Sequence, residues 1–104
     1  MSAFAVRIEG DARVSVSGDL DMATAPELTS ALESIASTAA RRVVVDLGAV
    51  SFIDSTGISA LCLARARFET NGAVLVLGPI SPQVESVLQM VGLDAEFVRE
   101  HDAT

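Results

Sequence analysis

The stretch "FIDSTGIS", residues 52–59, places a carboxylate and two hydroxyls, Asp54, Ser55 and Thr56, between an apolar run and a helical one. Two chemistries fit that arrangement. Asp and Ser at a strand-to-helix junction accept hydrogen bonds from the first free N–H groups of a helix. The same junction is also a place where a hydroxyl can receive a covalent group, because the carboxyl ends of buried parallel strands are where open α/β sheets place their sites. Residue types alone leave both open.

Other chemistry lacks its parts. A serine nucleophile requires a base within hydrogen-bond reach, and the single histidine, His101, lies in a polar terminal stretch. "DSTG" is not the G-x-S-x-G of a nucleophile elbow. The lone Cys62 reads as core packing and can form no internal disulfide, which fits a reducing cytoplasm. No clustered ligands signal a metal, and no glycine-rich phosphate loop is present. The expectation is a protein that is not an enzyme and needs no cofactor.

The elements that must position the junction follow from periodicity. "FAVRIEG" and "RVSVSGDL" alternate apolar and polar residues, so they read as half-exposed strands joined at "EGDA". In "TAPE", Thr24, Pro26 and Glu27 read as a capping box, opening a helix with Leu28, Leu32, Ile35, Ala36 and Ala39 inward. "RRVVVDLGAV" predicts a strand covered on both faces, followed by a helix from Ser55 to about Thr70 that "NG" ends. On that helix Ile58, Leu61, Cys62 and Phe68 serve the core, leaving Ala60, Leu63, Ala64 and Ala66 for a partner or for deeper burial. "AVLVLG" predicts another buried strand. "SPQVESVLQMVG" predicts a helix capped by Ser81, with Val84, Val87, Leu88 and Val91 inward. "AEFVR" reads as a short last strand, and residues 99–104 as a frayed acidic end. The order β-β-α-β-α-β-α-β predicts an α/β fold with a mostly parallel sheet.

Length and charge narrow the partners. The 104 residues favour one domain, 1–104. The formal net charge is −7, and all seven bases are arginine (7, 13, 41, 42, 65, 67 and 99), with no basic run beyond Arg41–Arg42. Phosphate backbones and anionic membrane surfaces are repelled by such a chain, so neither nucleic acid nor membrane is expected as a partner. No apolar run approaches a membrane span, and the first ten residues lack the pattern of a secretory signal.

Three stretches together resemble the bacterial anti-sigma factor antagonists, the single-domain branch of the STAS fold: "GDLDMATAPEL" (18–28), "VVVDLGAVSFIDSTGISAL" (43–61) and "ISPQVESVLQMVGLDAEF" (80–97). They span most of the chain, and the middle one is the most diagnostic. The resemblance implies a STAS-like sheet of about five strands, the first antiparallel, with three helices on one side. It implies that Ser55 is the phosphoacceptor, with Thr56 as the minor alternative. It implies that Gly18, Asp19 and Asp21, matching a G-[DE]-x-D loop, join Asp54, Ser55, Thr56 and Gly57 in binding the partner. That partner is an anti-sigma factor that is also a serine kinase: the unmodified antagonist binds it and frees the sigma factor, phosphorylation ends the binding, and a phosphoserine phosphatase resets the cycle. The family expectation is a monomer or weak dimer. The family often has Leu-Gly after the motif glycine, where this chain has Ile58 and Ser59. The rival reading is an unmodified STAS subunit of a fixed assembly, a stress-signalling complex or the cytoplasmic component of a lipid transporter; direct nucleotide binding ranks below it.

Overall fold

The computed structural model describes residues 3–10 and 12–100. In chain order the elements are β1 (Ala5–Glu9), β2 (Arg13–Leu20), α1 (Ala25–Ala36), β3 (Arg42–Ile53), α2 (Ser55–Thr70), β4 (Val74–Ile80), α3 (Pro82–Met90) and β5 (Val98–Arg99). The strands form one sheet in the order β1-β2-β3-β4-β5. The β1–β2 pair is antiparallel and the other three pairs are parallel. The α/β architecture expected from the sequence is therefore the one observed.

Strand order decides where the helices go. Each parallel strand lies beside its predecessor, always stepping the same way across the sheet. A right-handed crossover at every step puts each helix on the same face. One core cluster results. It joins Val14 and Val16 of β2, Val43, Val45 and Leu47 of β3, and Leu75 and Leu77 of β4 to residues of all three helices: Leu28 and Leu32, Leu61 and Phe68, Val84 and Leu88.

Val44 and Val76 project the other way and stand outside that cluster, although only 6% and 1% exposed. β3 and β4 are thus buried on both faces over their apolar runs, as expected, with the helices over one face and the other face uncovered by any helix. The uncovered face instead carries a polar network around Arg13, which pairs with Asp46 at 3.3 Å and Glu100 at 3.2 Å. Gly78 makes room for it: a Cβ there would stand 3.0 Å from Val44 Cγ1 and 3.2 Å from Glu100 Oε1. The two carboxylates raise the pKa of Arg13 despite its partial burial, which acts in the opposite direction.

Several ends differ from the sequence reading. Helix α1 stops at Ala36, where the Ser37 and Thr38 hydroxyls donate to the carbonyls of Ser34 and Ile35 at 2.8 and 2.7 Å. Ala39 is thus outside the helix and exposed. Helix α3 begins as expected, the Ser81 hydroxyl accepting from the Val84 N–H at 3.3 Å. It ends at Met90, so Val91 leaves the inward stripe and is 50% exposed.

Strand β5 has two residues rather than five. Phe97 is buried in the core just before it, under the Arg65 guanidinium at 5.0 Å, and Arg65 Nη1 donates to the Glu96 carbonyl at 2.6 Å, giving that carbonyl a side-chain partner. Arg99 and Glu100 are held by ion pairs to Glu85 and Arg13, so the expected fraying does not begin at 99. Residues 101–104, His101 included, lie outside the described residues.

Candidate functional site

Because β2 and β3 are parallel neighbours, their carboxyl ends lie side by side, with Asp19 opposite Phe52 and Leu20 opposite Ile53. The Asp54 N–H continues the ladder past the end of β3 by donating to the Leu20 carbonyl at 3.3 Å. Sheet register thus brings the Gly18–Asp21 loop to the "DSTG" junction, more than thirty residues later in the chain.

At the junction the polar residues divide their roles. Asp54 has extended backbone, φ −114° and ψ −174°, and its Oδ1 accepts from the Gly57 N–H at 3.0 Å. Asp54 is the helix cap. Ser55 is the first residue of α2, is exposed, and its hydroxyl makes no hydrogen bond among the described residues. The question posed by adjacent cap-forming residues is answered by geometry: capping is done by the aspartate, and the serine hydroxyl is left facing solvent at the positive end of a sixteen-residue helix.

Thr56, the second residue of α2, is placed to bond back to backbone groups at the helix start. Its hydroxyl makes no such bond among the described residues, and the side chain is instead half-buried at the end of a groove between α1 and α2. Gly57 is buried. A Cβ there would stand 2.6 Å from the Leu20 carbonyl oxygen and 2.8 Å from Ile53 Cγ1, so any larger residue must push the helix off its close seat on the end of β2.

The loop is held from both sides. Gly18 has φ +89°, and a Cβ on it would meet the Ala3 carbonyl at 2.5 Å, so glycine is required both for the conformation and for passage of the N-terminal segment. The Asp19 carboxylate accepts from the Ser51 hydroxyl on β3 at 3.0 Å.

Thr24 departs from the capping-box reading. Its side chain makes no cap bond to α1. It turns back: Oγ1 donates to the Asp19 carbonyl at 2.7 Å and accepts from the Asp21 N–H at 2.9 Å. Asp21 then makes the turn into α1, its Oδ1 accepting from the Ala23 N–H at 3.0 Å and its carbonyl from the Ala25 N–H at 2.8 Å. Thr24 thus satisfies two backbone groups of the loop, and α1 begins without a side-chain cap.

The family-model comparison matches residues 3–103 to the STAS domain. The chain belongs to the STAS domain family. The anti-sigma-B factor antagonist of Staphylococcus aureus is 30% identical over 80 residues, 77% of this chain and 74% of that protein. A solved anti-sigma factor antagonist from Mycobacterium paratuberculosis is 28% identical, with a TM-score of 0.74 over 95% of this chain and 85% of that one. The anti-sigma factor antagonist SpoIIAA in its unphosphorylated form shares the fold, with a TM-score of 0.74 at 22% identity over 97% of this chain and 92% of that one. The resemblance seen in the three sequence stretches therefore holds for the fold and the family.

This STAS domain also has features around the junction that the sequence reading missed. Met22 is 75% exposed and Phe52 50%. Leu63, placed on the spare face of α2, is 72% exposed. Met22 and Leu63 flank the groove that ends at Thr56, floored by Ala25 and Ala60. Ala60 and Ala64 pack against the core, so only part of the wider apolar face of α2 is left to solvent. The available signal was a methionine inside the polar run "GDLDMAT". Among the described residues no cluster of three or more His, Cys, Asp or Glu could hold a metal, and no helix is long and apolar enough to cross a membrane.

Proposed function

We propose that this chain is an anti-sigma factor antagonist whose binding to an anti-sigma factor with serine-kinase activity is switched off by phosphorylation of Ser55. The observation that supports it best is the free, exposed Ser55 hydroxyl beside a neighbour, Asp54, that already caps the helix. The name of the Staphylococcus aureus relative agrees with the partner class.

The partner-binding patch is Asp19 and Asp21 on the loop with Asp54, Ser55 and Thr56 at the junction, extended by the apolar side chains of Met22 and Leu63; Gly18 and Gly57, both buried, shape the backbone beneath it. An unmodified patch of this kind combines desolvatable apolar anchors with polar groups at their edge, the usual anatomy of a protein interface.

A phosphate on Ser55 adds about −1.5 to −2 charges at neutral pH. Within the domain it meets the free N–H groups at the start of α2, which favour an anion, so the fold is retained. Against the partner it adds to the carboxylates of Asp54, Asp19 and Asp21. An interface that covers this acidic patch must desolvate the phosphate without a cation to pair it, a cost of several kcal/mol. Losing about 3 kcal/mol weakens binding roughly a hundredfold. The switch is local electrostatics at an interface, and a phosphoserine phosphatase restores the binding form.

Incubation with the cognate kinase and ATP, followed by mass spectrometry of the peptide holding Ser55 and Thr56, tests the assignment. Phosphate on Ser55 is the expected result. Modification of Thr56 alone, or of neither residue, overturns it.

A further inference from the structure

Among the described residues, strand β1 is the outer strand of the sheet and pairs with β2 alone. Such a strand leaves one row of backbone N–H and C=O groups unpaired, a template for another strand. Its side chains sort by face. Arg7 and Glu9 lie opposite Ser15 and Arg13 on the uncovered face, whereas Val6 and Ile8 lie opposite Val16 and Val14 on the helix face. Ile8 is 48% exposed and borders a shallow notch with Val6, Pro26 and Ala31. Arg7 is exposed and makes no ion pair or hydrogen bond among the described residues. Glu9 accepts from the Ser15 hydroxyl at 3.1 Å and stands 4.0 Å from Arg13.

The sequence Arg7-Ile8-Glu9 is complementary to itself when reversed. With a second β1 laid antiparallel along the edge and a two-fold axis through Ile8, Arg7 of each copy faces Glu9 of the other. Directly opposed residues project to the same face. Two ion pairs then form on the uncovered face, and the two Ile8 side chains meet on the helix face. Shifting the axis to Arg7 or to Glu9 sets like charges against each other, so charge selects one register. Charges on an edge strand ordinarily discourage pairing. Here they are opposite in sign and symmetric about an apolar centre, which makes self-pairing the arrangement in which they attract.

We infer that β1 is a self-recognition edge, joining two copies of this chain into a continuous ten-stranded sheet through antiparallel β1–β1 pairing centred on Ile8. The partner is a second copy because the charge order fits its own reverse. The association is weak, since one short strand and one apolar pair hold it. It uses the side edge of the sheet, leaving Ser55 at the strand ends available, and it does not depend on the phosphorylation reading.

Sedimentation equilibrium across a concentration series at low salt tests it. The expected result is a concentration-dependent dimer. Arg7→Glu removes no contact seen within the described residues and opposes two carboxylates across the edge; it is expected to weaken association by about tenfold or more. Glu9→Arg does the same with two guanidiniums. The double exchange Arg7→Glu with Glu9→Arg restores association to within a few-fold of the parent. Circular dichroism checks each variant's fold, and if Glu9→Arg does not fold, Arg7→Glu still decides. A chain that stays monomeric at every concentration, or a dimer indifferent to Arg7→Glu, overturns the inference.

Discussion

The Asp54 N–H donates to the Leu20 carbonyl oxygen at 3.3 Å, and through this bond the end of β2 and the start of α2 become one surface. The same carbonyl is what a Cβ on Gly57 would strike, at 2.6 Å. Leu20 is therefore the seat for both the cap and the first turn of the helix, and the position of Ser55 is set from there.

Gly57→Ala tests the seat. The added methyl must push against backbone, which cannot rotate away as a side chain would. A loss of about 1–3 kcal/mol is expected, the range for overpacked sites, read from the urea midpoint. A variant as stable as the parent would show that the junction yields more readily than its geometry implies.

Substitutions at Ser55 separate charge from structure. Ser55→Ala is expected to bind the anti-sigma partner and resist phosphorylation. Ser55→Asp is expected to bind roughly a hundredfold more weakly while its circular-dichroism spectrum stays that of the parent, since the residue is exposed and forms no contact that a carboxylate breaks. Calorimetric titration of the partner into each variant measures this, and tight binding by Ser55→Asp contradicts the electrostatic account.

Thr24→Val keeps the shape of the side chain and deletes the hydroxyl that holds Asp19 and Asp21. A stability loss of about 1–3 kcal/mol is expected from the unsatisfied loop groups, together with weaker partner binding. Thr24→Ser restores both. If Thr24→Val binds the partner as the parent does, the loop is not part of the interface.

Leu63→Asp examines the groove. At 72% exposure the side chain contributes little to the core, so stability is expected to stay within about 0.5 kcal/mol of the parent. Partner affinity is expected to fall by more than about 1 kcal/mol if Leu63 is an anchor. Met90→Asp, also highly exposed but on α3 outside the groove, serves as the control that leaves binding unchanged.

Acid stability depends in part on Glu85, whose carboxyl lies below its ordinary value of 4.5 because it accepts two hydrogen bonds from Arg99, at 2.9 and 3.1 Å; its partial burial opposes this. A folded pKa below the unfolded one means that the pair stabilises fully above the unfolded value, and that this stability is lost as pH falls through the lowered one. Urea midpoints measured from neutral pH to about pH 3 are expected to drop more steeply for the parent than for Glu85→Gln. Equal slopes would remove the pair from the acid response.

Much of this architecture was legible in local sequence. Alternation in "FAVRIEG" and "RVSVSGDL", β-branched runs in β3 and β4, and breaks at "NG" and "SP" specify elements through side-chain period and turn chemistry, which act over a few residues. The Ser81 cap was readable for the same reason. So was the "DSTG" junction, through its residue types and its resemblance to a family.

What local sequence did not contain was every relation that depends on neighbours far along the chain. Thr24 reads as a cap because three residues later stands Glu27, yet in space it bonds the carbonyl of Asp19 and the N–H of Asp21. The apolar runs of β3 and β4 predict burial on both faces, which Val44 and Val76 bear out, but the face that the helices take is set by the stepwise strand order. Residue types determined that a carboxylate, two hydroxyls and a glycine would stand where a strand meets a helix. Only the parallel register of β2 against β3 decided that Asp19 and Asp21 stand beside them, because hydrogen-bonded pairing, unlike periodicity, is made between segments that know nothing of each other in sequence.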